Sequence, residues 1–168
     1  MGEENTSPAD SRNHNNNVDE VREETMKSKR TRKIEAHLQK KLNGSNVQLI
    51  PEYPVGQYCR VDFCMLIKEK DTIVDAVGLE IKVTPQDFHT GYGQNFVFRN
   101  NYFVVPNELV VYAIRYKKRK KLDDVGILAV SEGGTITIVE YSKLRMKNTK
   151  DYCEALLGSP HWKYIDER

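Results

Sequence analysis

Asp62, Glu80 and Lys82 are the residues of this chain whose types and spacing could do hydrolytic chemistry. Side chains alternate between the two faces of a strand, so Asp62 shares a face with Arg60 and Cys64, while Val61, Phe63 and Met65 take the other. The next apolar stretch divides in the same way. Glu80 and Lys82 fall with Gly78 and Ala76, opposite Val77, Leu79, Ile81 and Val83. Two hairpin-joined strands can therefore present Asp62, Glu80 and Lys82 together, with Gly78 and Ala76 leaving room beside them. Charges on strands this apolar are costly to bury unless something compensates them. Two carboxylates and a backbone carbonyl suit a hard dication, Mg2+ or Mn2+, which can polarise a scissile phosphate and acidify an attacking water. Lys82 would orient that water or offset the charge growing on the phosphoryl group. The same alternation also fits the solvated side of an edge hairpin, where Asp, Glu and Lys pair without chemistry.

The elements that must position these residues can be read from periodicity. From Thr25 to Leu42, Met26, Ile34, Leu38 and Leu42 recur at multiples of four among Lys and Arg, and Asn43-Gly44 follows, which predicts an amphipathic helix. Val47 and Leu49, closed by the turn residues Pro51 and Pro54, predict a short strand. Tyr58 to Ile67 is a longer one, and Ile73 to Val83 a third after the charged turn Lys68 to Asp71. Three strands in succession make a meander. Thr84 as N-cap, Pro85 in the first turn and Asp87 near the positive helix end predict a helix or helical turn, limited by Gly91 and Gly93. Asn101 to Val105 reads as a buried strand ending at Pro106. A helix opening at Asn107-Glu108 and running to about Tyr116 competes with a strand through Val110, Val111, Tyr112 and Ile114. Val125 to Val130 and Thr135 to Val139, separated by Glu132-Gly133-Gly134, form a hairpin, and Asn148 to Leu157 a terminal helix.

The order Arg60-Val61-Asp62-Phe63, then Gly78-Leu79-Glu80-Ile81-Lys82-Val83, resembles the PD-(D/E)xK nuclease superfamily. The resemblance runs from about Thr25 to Val139 and is closest to small single-domain MmcB-like proteins, described as DNA-repair or restriction-type nucleases. Asp87-Phe88 and Tyr102-Phe103-Val104-Val105-Pro106 stand where that group carries an Asp-Phe pair and an aromatic strand ending in Val-Pro. Val61 replaces the proline of the superfamily's name, a position that supplies no ligand. The resemblance implies an α/β, single-domain restriction-endonuclease-like fold, a central mixed sheet with an αβββαβ core flanked by helices. It implies metal ligation by Asp62, Glu80 and the carbonyl of Ile81, and catalytic assistance from Lys82. Glu35, at the edge of the first helix's apolar stripe, is the candidate fourth catalytic member, holding a water at the metal; a surface ion pair is the competing reading. Gln94, four residues before Phe98, resembles the Gln-x-x-x-Tyr element of some branches and is a candidate for binding a phosphate or base, against a plain helix-surface glutamine.

Charge supports a polyanionic partner. The first 24 residues hold seven of the 24 acidic and two of the 26 basic residues, so the remainder carries a net +7 against +2 for the whole chain. That opening stretch is polar and Asn-rich, and is expected to be a disordered tail before one domain spanning 25–168. Lys117, Lys118, Arg119, Lys120 and Lys121 form a basic run, and Arg60 stands beside Asp62; these are the candidate DNA-binding cations, with a solvated helix end as the bland explanation of the run. Cys59, Cys64 and Cys153 make an odd set without zinc-ligand spacing, and no membrane span is visible, so a soluble cytoplasmic protein is expected. Many proteins of the resembled type act as homodimers, but no interface is legible. Two other functions stay open: a catalytically silent nucleic-acid-binding module of the same fold, and an adaptor that recruits another protein through its tail and basic helix.

Overall fold

Ser28 starts the first helix, its Oγ accepting the Thr31 backbone N–H at 3.1 Å and so satisfying one donor of the open first turn. The helix, α1 (Lys29–Leu42), buries Ile34 and Leu38 one turn apart and keeps its Lys and Arg side chains outside. Asn43 ends it and ties it to the sheet, its Oδ1 accepting the Leu49 N–H at 2.7 Å. The structure, a computed structural model, describes residues 28–55, 59–70, 72–90, 94 and 96–145. The expected polar tail, the Gly91-Tyr92-Gly93 bend and the terminal helix lie outside the described residues. Among the described residues, no helix is long and apolar enough to cross a membrane.

Six strands, β1 (Val47–Val55), β2 (Cys59–Glu69), β3 (Thr72–Ile81), β4 (Asn100–Pro106), β5 (Gly126–Val130) and β6 (Ile136–Glu140), lie in one sheet in chain order. The first three form the expected antiparallel meander; β4 then joins β3 in parallel, β5 joins β4 in parallel, and β6 closes a hairpin on β5. The sheet is thus mixed, and the protein is an α/β domain with two α-helices among the described residues. The helix expected after Pro106 forms as a 3-10 turn, Asn107–Leu109, running into α2 (Val110–Lys120). Lys121, at φ 55, ends it with the left-handed residue common at helix C-termini.

The structure corrects the expectations for β1 and for the second helix. Pro51 and Pro54 do not delimit β1 but lie within it, paired with Phe63 and Arg60. Proline is tolerated there because β1 is an edge strand whose outer side makes no ladder hydrogen bonds. The second helix of the αβββαβ order is, among the described residues, a single 3-10 turn, Gln86–Phe88. Asp87 Oδ2 accepts the N–H groups of Val83 and Thr84 at 2.8 and 2.9 Å, and the Asp87 N–H returns to Thr84 Oγ1 at 3.3 Å. These local bonds hold the chain tightly just beyond β3, while Phe88 turns into the core.

The two faces of the sheet bury different partners. Ile34 and Leu38 of α1 pack on Phe63, Val77, Leu79, Ile81, Val83, Val104 and Leu128. On the other side Phe88, Phe96, Phe103, Val105 and Ile127 pack with Ala113 and Tyr116 of α2, and Cys64, Leu66, Ala76 and Phe98 cover the meander. Val61 belongs to this last group with Tyr53 and Val55, not with Phe63 as alternation alone implied; the left-handed Glu52 (φ 50) breaks the regular pleat of β1 beside it. The room expected beside Gly78 and Ala76 is filled: a Cβ on Gly78 would lie 2.6 Å from Phe98 Cδ2 and 2.8 Å from Asn101 Oδ1. Gly78→Ala should therefore cost about 1–3 kcal/mol of stability by overpacking, measured as a lower urea midpoint at unchanged slope; an unshifted midpoint would show that Phe98 yields freely.

Candidate active site

The register that sets Phe63 opposite Leu79 and Cys64 opposite Gly78 brings Asp62 across from Glu80. Beyond Leu79, β3 offers its next inward N–H, that of Ile81, to a side chain: Asp62 Oδ2 accepts it at 2.7 Å. On the other flank β4 runs parallel, with Phe103 paired to Glu80, and the Lys82 N–H reaches Val104 O at 3.0 Å. Glu80 is consequently 3% exposed and Lys82 5%, both at the carboxyl end of β3 where the meander meets the parallel strands.

Burial, above all, and then the neighbouring Asp62 carboxylate push the Glu80 carboxyl up from about 4.5 to about 9. Lys82 acts in the opposite direction, while a hydrogen bond with Asp62 and the charge of Glu52 add to the rise. At neutral pH Glu80 thus keeps a proton, shared with Asp62. Its Oε1 is buried without a hydrogen-bond partner. An acidic pair that must hold a proton to stay buried, with an oxygen left over, fits a hard dication, which would take the proton's place and use the idle lone pairs. Among the described residues no three His, Cys, Asp or Glu side chains converge as a ready-made cage. The protein donors would be the two carboxylates and a main-chain oxygen, for which the Ile81 carbonyl is adjacent.

The other candidates divide. Glu35 is half-buried on α1, whose apolar stripe packs on the face of Leu79 and Ile81, and it is not among the charges acting on Glu80. In its stead stands Glu52, which no periodicity marked. Arg60 is exposed and bonded through Nε to Glu52 Oε2 at 2.6 Å. Gln94 is turned inward, its Nε2 donating to Phe88 O at 2.9 Å and to the Tyr116 hydroxyl at 2.8 Å, and so braces the chain after β3 against α2. Lys117 leaves the basic run: it is 4% exposed, with Nζ on Glu140 Oε2 of β6 at 2.5 Å. A lysine buried so deeply needs that carboxylate and cannot also face solvent. Lys118, Arg119, Lys120 and Lys121 remain exposed at the end of α2. Cys64 is a free buried thiol pushed up to about 12 by burial, a packing residue and not a ligand.

Fold and site define an α/β domain with a mixed six-stranded sheet and an acid pair at its centre. Among solved structures it is similar to the SPO1766 protein of unknown function from Silicibacter pomeroyi, with a TM-score of 0.52 and 15% identity over 80% of this chain and 84% of that one, a likeness of fold alone. SfsA from Pyrococcus furiosus, solved in complex with Ca2+, aligns at a TM-score of 0.28 and 12% identity over 67% of this chain and 61% of that one, too remote to carry an argument. No family model and no curated protein matches the sequence.

Proposed function

We propose that this chain is a divalent-metal-dependent nuclease of the PD-(D/E)xK superfamily, with a restriction-endonuclease-like fold, that hydrolyses phosphodiester bonds in DNA during repair, recombination or restriction. The observation that carries this reading is the buried Glu80 carboxyl, hydrogen-bonded to Asp62 and close to the buried Lys82 at the centre of the sheet. Burying these groups costs stability, and a structural role requires none of them. Mg2+ or Mn2+ fits the donors, with Asp62, Glu80 and the Ile81 carbonyl to hold it. When bound, the ion would supply Lewis-acid polarisation of the phosphodiester and acidify water for in-line attack.

The remaining work belongs to the protein. Asp62 is held by the Ile81 N–H, so its carboxylate is already oriented before any ligand arrives. Glu80 would give up its proton to offer its carboxylate to the ion. Lys82 would offset the charge that grows on the phosphoryl oxygens. Lys118 to Lys121 and the exposed cations of α1 would follow backbone phosphates, adding affinity without sequence information. The test is incubation with single-stranded, duplex, branched and damaged DNA in Mg2+ or Mn2+: metal-dependent cleavage is expected, and no cleavage of any substrate in either metal removes the enzymatic reading.

The alternative is a nucleic-acid-binding module of the same fold without turnover. DNA binding that persists in Asp62→Ala, with no cleavage by the wild type, would select it.

A further inference from the structure

Glu52 occupies a costly position. It lies in the edge strand β1 with φ 50, a left-handed backbone that residues bearing a Cβ seldom adopt inside a strand. The pairs Pro51↔Phe63 and Tyr53↔Val61 set it across from Asp62, and its charge is among those that raise Glu80. A third acid so close makes the other two harder to bury. Its Oε2 engages Arg60 Nε at 2.6 Å, although the Arg60 side chain is 65% exposed and that of Glu52 31%. So open an ion pair contributes little to stability on its own.

What the pair does achieve is geometric. Arg60 precedes Asp62 by two residues, roughly 7 Å along the strand. Its guanidinium is a planar fork matched to two phosphate oxygens, and an exposed arginine ordinarily loses much rotamer freedom on binding one. With Nε held by Glu52, which lies across from Asp62, the fork is already fixed, and its exposed part faces solvent.

We propose that Glu52 is a positioning residue that locks the Arg60 guanidinium beside the Asp62–Glu80 pair, so that Arg60 seats a phosphate of the DNA backbone at the site. This rests on the nuclease reading and names the group that orients its substrate.

The sign of one substitution separates positioning from bulk electrostatics. Removing a negative charge near a polyanion should tighten binding if charge alone matters; removing the anchor of the phosphate-binding arginine should weaken it. The experiment is anisotropy of a labelled DNA duplex with the full chain in Ca2+, under conditions where the duplex stays intact, over a range of NaCl. Arg60→Ala is expected to weaken binding about tenfold and to lower the slope of log Kd against log salt by about one. Glu52→Gln should weaken binding about threefold, yet change nothing or tighten binding when added to Arg60→Ala, because it acts through that arginine. Arg60→Lys should not restore wild-type affinity, since a point charge lacks the fork. Tighter binding by Glu52→Gln in the wild-type background overturns the proposal while leaving the nuclease reading intact. DNA binding with this pattern but no cleavage by the wild type overturns the nuclease reading alone, and a wild type that binds no DNA overturns both.

Discussion

Asp62→Ala and Glu80→Ala are each expected to lower metal-dependent DNA cleavage by about a thousandfold or more, the loss of roughly 4 kcal/mol of transition-state stabilisation. Both carboxylates sit on strands that hold them from two sides: Asp62 through the Ile81 N–H, Glu80 between the β2 and β4 neighbours of β3. Lys82→Ala should reduce the rate comparably but leave Mn2+ affinity within a few-fold, because in the proposed reaction Lys82 serves the phosphoryl group and not the cation. Single-turnover rates at saturating Mn2+, with thermal unfolding run alongside to verify folding, measure these effects. Rates within tenfold of wild type for both acid variants would remove the pair from the chemistry.

Glu80→Gln is expected to make the metal-free protein more stable than wild type at alkaline pH. The Glu80 carboxyl is raised from about 4.5 to about 9 by burial and by Asp62. Below about pH 4.5 folded and unfolded chains both hold this proton, and the contribution to stability is fully present. Between that pH and about 9 the unfolded chain gives the proton up while the folded chain retains it, so the wild type loses stability as pH rises, by roughly 1 kcal/mol per unit. A glutamine keeps the hydrogen bond to Asp62 and has no proton to lose, so its unfolding free energy should lack this slope, and the gap over wild type should widen to several kcal/mol near pH 8. Urea unfolding of both proteins from pH 5 to 9 in EDTA tests this, with parallel profiles counting against a buried proton. Saturating Mn2+ should flatten the wild-type profile too, since the cation replaces the proton.

Much of the fold was legible because its periods are local. The two-residue alternation of β2 and β3 and the turn chemistry of the last hairpin depend on neighbours in sequence, and the structure has these elements near the expected bounds. The expectation that Asp62 meets Glu80 needed only period two and a hairpin. What could not be read depends on position in the finished sheet. Pro51 and Pro54 look like strand breakers until β1 is known to be an edge. Lys117 reads as one cation in a run because its partner, Glu140, arrives 23 residues later on another strand. The space beside Gly78 was anticipated, but not that Phe98 fills it, since that contact spans the crossover from β3 to β4. Glu52 gave no periodic signal at all: its place in the site follows from the β1–β2 register and a single left-handed residue.

Calorimetric titration of Mn2+ into the wild type and into Glu80→Ala, repeated near neutral pH in buffers of different ionisation enthalpy, tests the metal site without requiring the right substrate. The wild type should bind one ion and release about one proton, the one Glu80 shares with Asp62, and Glu80→Ala should show neither event. No binding by the wild type, or equal affinity in both proteins, would contradict the account.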